Sequence, residues 1–371
     1  MSVPQSKPKA RYKFRFARPV ISPGEKAAVM SVFDGHVLTN GPKVREFEEL
    51  FAQTVGGGRA VAVSSCAAAL YLVLLAKGIG FGDEVIVPAL THLAVANAVE
   101  LVGGKCVFVD ADPTDGQLDP EAMRRALTKN TKLVTLVHML GKPGYMGSID
   151  AILRPRRIPL LEDCALALGC THSGRHVGLH GIAGCFSFYP AKHITTGEGG
   201  MVLTNDMALA EKVIELRSFG HQEGMRNGDI AMPGLNFRMT EFAAALGVEQ
   251  LNLFPRRLNR RVRNASVLRD RLKGYHVMGD HYALSVMVPD GVNRDWVRLQ
   301  MKEKHLIETS VYYHQPTCDW AYYRNKYGPQ NVPVARKICS QSIALSVGPH
   351  LSSADMELQA GAFRRCVEKR T

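Results

Sequence analysis

One lysine of this chain occupies a position suited to covalent chemistry. Lys192 follows a short apolar run at residues 186–189 and precedes a glycine-rich turn at residues 197–200. This pattern predicts a lysine at the end of a strand, beside open backbone. A partly desolvated lysine has a lowered pKa, and its free amine can attack an aldehyde to form a Schiff base. Most lysines are solvated surface residues, so this position alone does not establish a reactive amine.

A carboxylate earlier in the chain adds to this pattern. Asp163 ends the apolar run that begins at Ile158, which predicts an anion at the carboxyl edge of a sheet, where open α/β folds bind ligands. The same residue could cap a helix that starts at Cys164. Pyridoxal phosphate (PLP) needs a lysine for its aldehyde and an acidic partner for its ring nitrogen. An aspartate followed by a reactive lysine therefore favours a PLP site.

Several motifs then resemble one family, and they occur in the order that the family has. They are LTNGP at 38–42, VSSCAAAL at 63–70, GDEVIVP at 82–88, FSFYPAKHITTGEGG at 186–200 and LNFRMTE at 235–241. From about Ala17 to its last helix, the chain resembles the DegT/DnrJ/EryC1/StrS family of PLP-dependent sugar aminotransferases. The resemblance implies the aspartate aminotransferase-like α/β fold, known as fold type I.

The resemblance also implies which residues bind the cofactor. Lys192 and Asp163 are the catalytic pair, and the turn Ser65, Cys66 and Ala67 offers free helix amides to the phosphate, together with Ser187. His92 occupies the position of a ring that stacks on PLP, although a histidine there could also be a helix cap. Asn236 corresponds to an asparagine that reaches the phosphate of the neighbouring subunit. This implies a homodimer with shared active sites.

Three further residues are candidates for substrate contacts. Arg238 could hold a carboxylate through its planar fork, and a structural salt bridge is the alternative. His193 directly follows the lysine; in a dehydratase branch of the family the lysine itself is a histidine, but here Lys192 is retained, which favours an aminotransferase. His314 lies in a C-terminal stretch that could face the site.

Two positions depart from the family pattern. Ala67 stands where relatives often have threonine, so one hydroxyl contact to the phosphate is missing and the backbone amides must carry more. Leu166 stands where many relatives have glutamine or histidine against the phenolic oxygen of the cofactor. The sequence leaves open how the electronics of the ring are tuned here.

The implied reaction moves an amino group from L-glutamate to a keto-sugar by a ping-pong mechanism. A nucleotide-linked 4-keto-6-deoxy sugar, or a 3-keto sugar, is the expected acceptor. Two alternatives remain open at this stage, namely a keto-cyclitol or other non-nucleotide carbonyl substrate, and a catalytically silent PLP-binding protein, because fold and cofactor do not guarantee turnover.

Composition bounds these interpretations. The chain has 371 residues, a hydrophobic fraction of 46% and 22% charged residues, as globular proteins have. The net charge of +12 suits anionic substrates, and no nucleic-acid-binding motif accompanies it. No apolar run is long enough to span a bilayer and no signal-peptide pattern is present, so we expect a cytoplasmic protein. The eight cysteines show no zinc spacing, and we expect no metal.

Apolar runs alternate with helical patterns between residues 55 and 205. Seven runs predict strands of one mainly parallel sheet, and the last two can pair antiparallel across the glycine-rich turn; the runs are 60–63, 84–87, 106–109, 133–137, 159–161, 185–188 and 201–203. A mixed α+β pattern begins near Arg256. We therefore expect a large PLP-binding domain at 1–255 and a smaller α+β C-terminal domain at 256–371, with specificity in loops such as 221–233.

Overall fold

The computed structural model describes residues 12–221, 229–230 and 232–368. The basic residues Lys7, Lys9 and Arg11 of the N-terminal arm lie outside the described residues, as does most of the loop 221–233. The strands are β1 Arg59–Val63, β2 Glu84–Pro88, β3 Lys105–Val109, β4 Thr131–Val137, β5 Leu160–Asp163, β6 Thr171–His172, β7 Arg175–His176, β8 Ala183–Ser187, β9 Gly200–Thr204, β10 Val277–Gly279, β11 Ala283–Met287 and β12 Ser342–Ser346.

Helices cover these strands and connect them. They are α1 Pro23–Met30, α2 Pro42–Val55, α3 Cys66–Ala76, α4 Leu93–Leu101, α5 Pro120–Ala126, α6 Met146–Leu153, α7 Met207–Leu216, α8 Glu241–Asn252, α9 Phe254–Arg271, α10 Arg294–His305, α11 Ala321–Tyr327, α12 Pro333–Gln341 and α13 Ser353–Glu368. Among the described residues, none of these helices combines the length and the apolarity that a membrane crossing requires.

Seven strands form one sheet in the order β1-β9-β8-β5-β4-β2-β3. Strands β3, β2, β4, β5 and β8 run parallel, whereas β9 is antiparallel to both β8 and β1. The predicted seven-stranded, mainly parallel sheet is confirmed, and so is the antiparallel pair across the glycine-rich turn. Parallel strands bring their carboxyl ends to one edge, so β4, β5 and β8 present Val137, Asp163 and Ser187 near each other.

Both faces of this sheet are buried. On β1, Val61 and Val63 join the core formed with α3, α4 and α7, whereas Ala60 and Ala62 join the core formed with α2 and α8. Alternate residues of a strand point to opposite faces, so apolar residues at successive positions build two cores. The sheet is thereby fixed from both sides, and its edge is a rigid support for side chains.

A second sheet lies C-terminal to the first. Strands β10, β11 and β12 are antiparallel to their neighbours and pack with α9, α10 and α13 around a separate apolar core. Pro255 lies in the first turn of α9, where a missing backbone N–H removes no helical bond. The division into domains at residue 255 stays a prediction.

Candidate active site

A cavity of about 380 Å³ lies at the carboxyl edge of the seven-stranded sheet, and we call it the main cavity. Its size is that of a small-molecule site. Of the residues that the sequence points to, it brings together Ser65, Cys66, Ala67, His92, Asp163, Ser187 and Lys192. Arg238, Asn236, His193 and His314 are not in its wall. Its remaining wall is mainly apolar and aromatic.

Lys192 lies in the turn after β8, not at the end of the strand, because β8 ends at Ser187. Its amide donates a hydrogen bond to the carbonyl of Tyr189, which holds the turn. The Nζ atom lies 5.6 Å from the ring centroid of Tyr282. Within the described residues, Nζ has no ion pair and no hydrogen bond. The amine is therefore available for a ligand in the main cavity.

Asp163 is the last residue of β5, and its carboxylate is buried. Oδ1 accepts a hydrogen bond from the amide of Ala165 at 2.9 Å, and Oδ2 has no hydrogen bond within the described residues. Burial raises the pKa of Asp163, against the lowering effects of this amide and of the Lys192 charge. A buried carboxylate with one open oxygen can accept a hydrogen bond from a cationic ring nitrogen.

The turn before α3 is the candidate phosphate site. Ser65 caps the helix by accepting a hydrogen bond from Ala68, and the amides of Cys66 and Ala67 have no acceptor within the described residues. Free amides at a helix N-terminus favour an anion. Gly200 of β9 lies behind the turn, where a Cβ atom would be 2.3 Å from the carbonyl carbon of Ser65. The turn thus depends on a glycine.

His92 and Ser187 line the same cavity. The Nδ1 atom of His92 accepts a hydrogen bond from Ala94, so the residue is both a helix cap and a cavity residue. Burial, and then the Lys192 charge, lowers the pKa of His92, which favours the neutral ring. The hydroxyl of Ser187 accepts a bond of 3.4 Å from the amide of Tyr189. Its O–H remains free to donate to a ligand.

Three tyrosines that the sequence did not single out close the cavity. Tyr282, Tyr312 and Tyr313 come from the C-terminal part of the chain. The hydroxyls of Tyr282 and Tyr312 are 3.0 Å apart, and the ring of Tyr313 meets His92 edge-on at 6.0 Å. The one sequence signal was the adjacent aromatic pair 312–313, next to the histidine that we considered. His314 itself is exposed and lies outside the cavity.

Two other sequence candidates, Asn236 and Arg238, lie outside the main cavity. Asn236 is exposed, and its Oδ1 accepts a bond of 3.4 Å from the amide of Arg238. Arg238 donates to the hydroxyl of Ser218 at 3.0 Å and lies over the ring of Phe219. Neither residue contributes to the main cavity of its own chain. A salt bridge, the alternative role for Arg238, does not form within the described residues.

His193 is buried behind Lys192 instead of facing the main cavity. Its Nε2 lies 2.9 Å from Nδ1 of His281, and burial lowers its pKa well below the ordinary value. A substrate contact in the main cavity is therefore not available to it in this conformation. Of the two departures from the family pattern, Ala67 and Leu166 both line the cavity, and Leu166 presents an apolar wall there.

The residues present fit PLP. An unpaired amine, a buried carboxylate with an open oxygen and two free helix amides lie around one cavity, as the aldehyde, ring nitrogen and phosphate of the cofactor require. The open polar atoms thus match the aldehyde, the ring nitrogen and the phosphate of the cofactor.

Comparisons with known proteins agree with this geometry. Residues 19–362 match the model of the DegT/DnrJ/EryC1/StrS aminotransferase family. The spore coat polysaccharide biosynthesis protein SpsC of Bacillus subtilis is 34% identical, with 95% of this chain and 97% of that protein covered. GDP-perosamine synthase of Escherichia coli O157:H7 is 32% identical, with 91% and 93% covered.

Solved structures show the same fold. Spr1654 from Streptococcus pneumoniae in its PLP form has a TM-score of 0.92 and 26% identity, with 97% of this chain and all of that chain covered. The match extends over both sheets, including the C-terminal part of the chain that closes the main cavity. The chain therefore belongs to the DegT/DnrJ/EryC1/StrS aminotransferase family and is a PLP-dependent aminotransferase.

Proposed function

We propose that this enzyme transfers the amino group of L-glutamate to a nucleotide-linked keto-sugar, a 4-keto-6-deoxy sugar or a 3-keto sugar, by a ping-pong mechanism. The observation that carries the proposal is the meeting of the unpaired Lys192 amine and the buried Asp163 carboxylate in one cavity. A reactive amine and an open buried anion in the same cleft are a combination that structural roles alone do not require.

Each cofactor contact has a support in this chain. When bound, PLP supplies an aldehyde that takes up the amino group and a protonated ring that withdraws electrons. Asp163 holds the proton of the ring nitrogen, and the free amides of Cys66 and Ala67 bind the phosphate together with Ser187. His92 packs against the face of the ring. Because Leu166 is apolar, the phenolic oxygen has no polar partner from that position.

Lys192 has two tasks in this proposal. Its Nζ would first hold the cofactor, and after the amino donor displaces it, the same amine would take the proton from the α-carbon of the donor. The same atom would then give the proton to the C4′ carbon of the cofactor. The nearby aromatic wall, which includes Tyr282 and Tyr313, excludes water from this step. The donor leaves as 2-oxoglutarate before the keto-sugar binds.

The nucleotide link rests on charge and on a relative. The name of GDP-perosamine synthase specifies a nucleotide-linked sugar. The net charge of +12 favours an anionic substrate such as a nucleoside diphosphate sugar. Arg238 has planar donors for an acidic group of a substrate near a subunit interface. His314 is exposed and directly follows Tyr312 and Tyr313 of the cavity wall, so it is the proposed contact for the outer part of a large substrate.

We propose that the working form is a homodimer with shared active sites. Asn236 has no ligand role in its own chain, which is expected of a residue that reaches the phosphate in the partner. Two exposed apolar side chains lie beside it: Leu235 precedes it in the chain, and the amide of Phe219 donates a hydrogen bond to the carbonyl of Leu235. An exposed apolar face of this kind marks an interaction surface.

The test is a reaction with L-glutamate and a nucleotide-linked 4-keto-6-deoxy sugar, with the amino sugar and 2-oxoglutarate measured by mass spectrometry. The wild type is expected to form both products, and Lys192→Ala neither. Lys129→Ala, which alters an exposed lysine, is the matched control and should retain full activity. Equal turnover of the sugar without its nucleotide, or of a keto-cyclitol, would refute the nucleotide-linked acceptor. No turnover of any carbonyl substrate would indicate a silent protein.

A further inference from the structure

A second, much smaller pocket lies directly behind Lys192. Ala191, Lys192 and Tyr282 line both this pocket and the main cavity, so the two share a wall. The pocket has a volume of about 30 Å³, compared with about 380 Å³ for the main cavity. It has room for a small polar group and none for a sugar ring. We call it the cationic pocket because of its lining.

The charges around the cationic pocket are unbalanced. Among the described residues, its lining contains the arginines Arg18, Arg257 and Arg261, and no carboxylate. Arg257 is paired with Glu25 at 3.0 Å, and Glu25 also accepts a hydrogen bond from the side chain of Gln250. Two arginines, Arg18 and Arg261, thus line the pocket without a carboxylate partner. Such a concentration of like charge attracts an anion.

Arg261 on α9 gives the strongest indication. Its side chain is 94% buried, since only 6% of the residue is exposed. It donates to the carbonyl oxygens of Tyr282 at 3.1 Å and His281 at 3.5 Å, and its Nε has no acceptor. Burial lowers the pKa of Arg261 to about 10, so the guanidinium stays charged at neutral pH. A buried cation with an unused donor is costly unless an anion joins it.

A histidine lines the same pocket but adds no donor to it. Nε2 of His350 lies 2.9 Å from the carbonyl oxygen of Arg15, which fixes the proton on Nε2. Burial lowers the pKa of His350, so the ring stays neutral and its Nδ1 is an acceptor. Arg18, which lines the pocket from the N-terminal segment, is exposed and can reach a ligand that enters from solvent. The donors of Arg18 and Arg261 therefore come from two separate segments of the chain.

We propose that the cationic pocket binds one carboxylate of the amino donor, with Arg261 and Arg18 as its ligands. This inference rests on the proposed glutamate-dependent reaction and adds to it the binding site of the donor. Lys192 lines both the cationic pocket and the main cavity, so a carboxylate bound in the pocket would lie beside the residue with which the donor reacts. The described lining of the main cavity contains no arginine, so the cationic pocket supplies the missing counter-charge.

The test measures binding of glutarate to the holoenzyme by titration calorimetry. Glutarate has the two carboxylates of glutamate and no amino group, so it binds without reacting. We expect Arg261→Gln and Arg18→Gln to weaken glutarate binding by about tenfold or more, as the loss of a charge-assisted hydrogen bond predicts. Arg263→Gln is the matched control on the same helix, because Arg263 is exposed and outside the pocket. It should leave the affinity unchanged.

Steady-state kinetics provide the second measurement. The KM for glutamate should rise by about tenfold in the same two variants, whereas the KM for the keto-sugar should not change. If Arg261→Gln fails to fold, Arg18→Gln still decides the question, because Arg18 is exposed. Unchanged glutarate affinity and unchanged KM for glutamate in Arg18→Gln would overturn the proposal. So would sulfate binding that depends on Arg261 while glutarate binding does not, since the site would then serve a free inorganic anion.

Failure of the proposed reaction would look different. If the nucleotide-linked keto-sugar is not the acceptor, glutarate binding and its dependence on Arg261 and Arg18 remain intact. If glutarate affinity does not depend on Arg261 and Arg18 while the sugar is still aminated, only the proposed donor site is refuted. The two proposals therefore stand or fall on separate readouts.

Discussion

Strand β5 carries one buried carboxylate on each face, and the two carboxylates differ in their hydrogen-bond partners. Glu162 and Asp163 are neighbours in the chain, and both are buried. Both oxygens of Glu162 are occupied by hydrogen-bond donors: the Nε2–H of His138 and the amides of Gly178, His180 and Gly181. Asp163 accepts hydrogen bonds on one oxygen, from the amide of Ala165 and more weakly from the thiol of Cys66, and its other oxygen is open within the described residues. A saturated carboxylate stabilises the fold, whereas an open one is available for a ligand.

The pKa values of the two carboxyl groups separate in the same way. Burial raises the pKa of Glu162, but the hydrogen bond from His138 together with the amides of Gly178 and Gly181 outweighs it, so the pKa lies below its ordinary value. For Asp163 burial prevails, and the pKa is raised. Hydrogen bonds to an ionised carboxylate lower its pKa. Where few such bonds form, desolvation dominates and raises the pKa.

The Glu162 side could be mistaken for a metal site. The ligand atoms of His138, Glu162 and Cys164 lie within 4.8 Å of one another. However, Nδ1 of His138 accepts the amide of Gly144 at 3.1 Å, so its Nε2 carries the proton that Glu162 receives. Neither ring nitrogen is left for a metal, and both carboxylate oxygens are occupied. The cluster is therefore a structural network.

Among the substitutions that compare the two carboxylates, Asp163→Asn should have the largest effect on catalysis. The amide oxygen can still accept the hydrogen bond of Ala165, so the fold should persist, but the ring nitrogen of PLP loses its anionic partner. We expect kcat to fall by about 10²- to 10³-fold, the usual result of removing one electrostatic contact to the reacting group. Rapid kinetics with L-glutamate provide the measurement. Asp150→Asn, on the exposed side of α6, is the control. Equal rates in both variants would show that the open carboxylate of Asp163 has no special role in catalysis.

Glu162→Gln should give the opposite result. The substitution leaves His138 and three backbone amides without their anion, so the free energy of unfolding should fall by about 3 kcal/mol. Urea denaturation monitored by circular dichroism measures this loss. The kcat of the folded fraction should stay unchanged, and the exposed Glu121→Gln should alter neither quantity. A fall in kcat of Glu162→Gln without a loss of stability would contradict the structural role that we assign to Glu162.

Gly200→Ala sharpens the comparison on the ligand side. The added Cβ would lie 2.6 Å from the amide nitrogen of Cys66 and 2.3 Å from the carbonyl carbon of Ser65, so the phosphate turn must move. We expect the affinity for PLP to fall by about tenfold, as moderate overpacking predicts. Fluorescence titration of the cofactor-free protein measures it. Gly147→Ala, where a Cβ meets nothing within 4 Å, should bind PLP normally.

The pH dependence of stability should have opposite signs for the two carboxylates. The lowered pKa of Glu162 contributes stability above the ordinary carboxyl pKa of about 4.3, and this contribution is lost as the pH falls below that value. The raised pKa of Asp163 contributes stability below about 3.9, which is lost as the pH rises through the raised pKa.

Unfolding free energies between pH 3 and 7 test these signs, and the effect is the smallest of the four. The deficit of Glu162→Gln relative to the wild type should shrink on acidification. Asp163→Asn should gain stability relative to the wild type as the pH rises. If both differences change in the same direction, the two carboxylates do not differ as described.

The site residues that directly follow a strand in the chain could be predicted from the sequence. Asp163 ends an apolar run and Lys192 follows another, so both had to lie near the carboxyl edge once the strands were recognised. The turn at residues 65–67 joins a strand to a helix, which fixes its amides by local geometry. The same periodicity predicted the seven strands, because residues buried on both faces form short continuous apolar runs.

The remaining part depends on contacts between distant segments. Tyr282 and Tyr313 reach the main cavity only because the C-terminal sheet packs against the edge of the large one. Within the irregular segment 311–316, the residue types do not indicate which side chains turn inward. His314 has the chemistry of a substrate contact, but it is exposed, whereas Tyr312 and Tyr313 line the main cavity. His193 follows Lys192 in the chain, but its ring pairs with that of His281 and does not line the main cavity. No local pattern records such a pair.

The most direct test of the central claim is the absorption spectrum of the purified protein with PLP, before and after addition of L-glutamate. Lys192→Ala is measured alongside. Our account predicts a visible band in the wild type that glutamate removes, and a visible band in Lys192→Ala that glutamate does not remove. Loss of the band in both proteins, or no band in the wild type even with added PLP, would contradict the role of Lys192 on which the account depends.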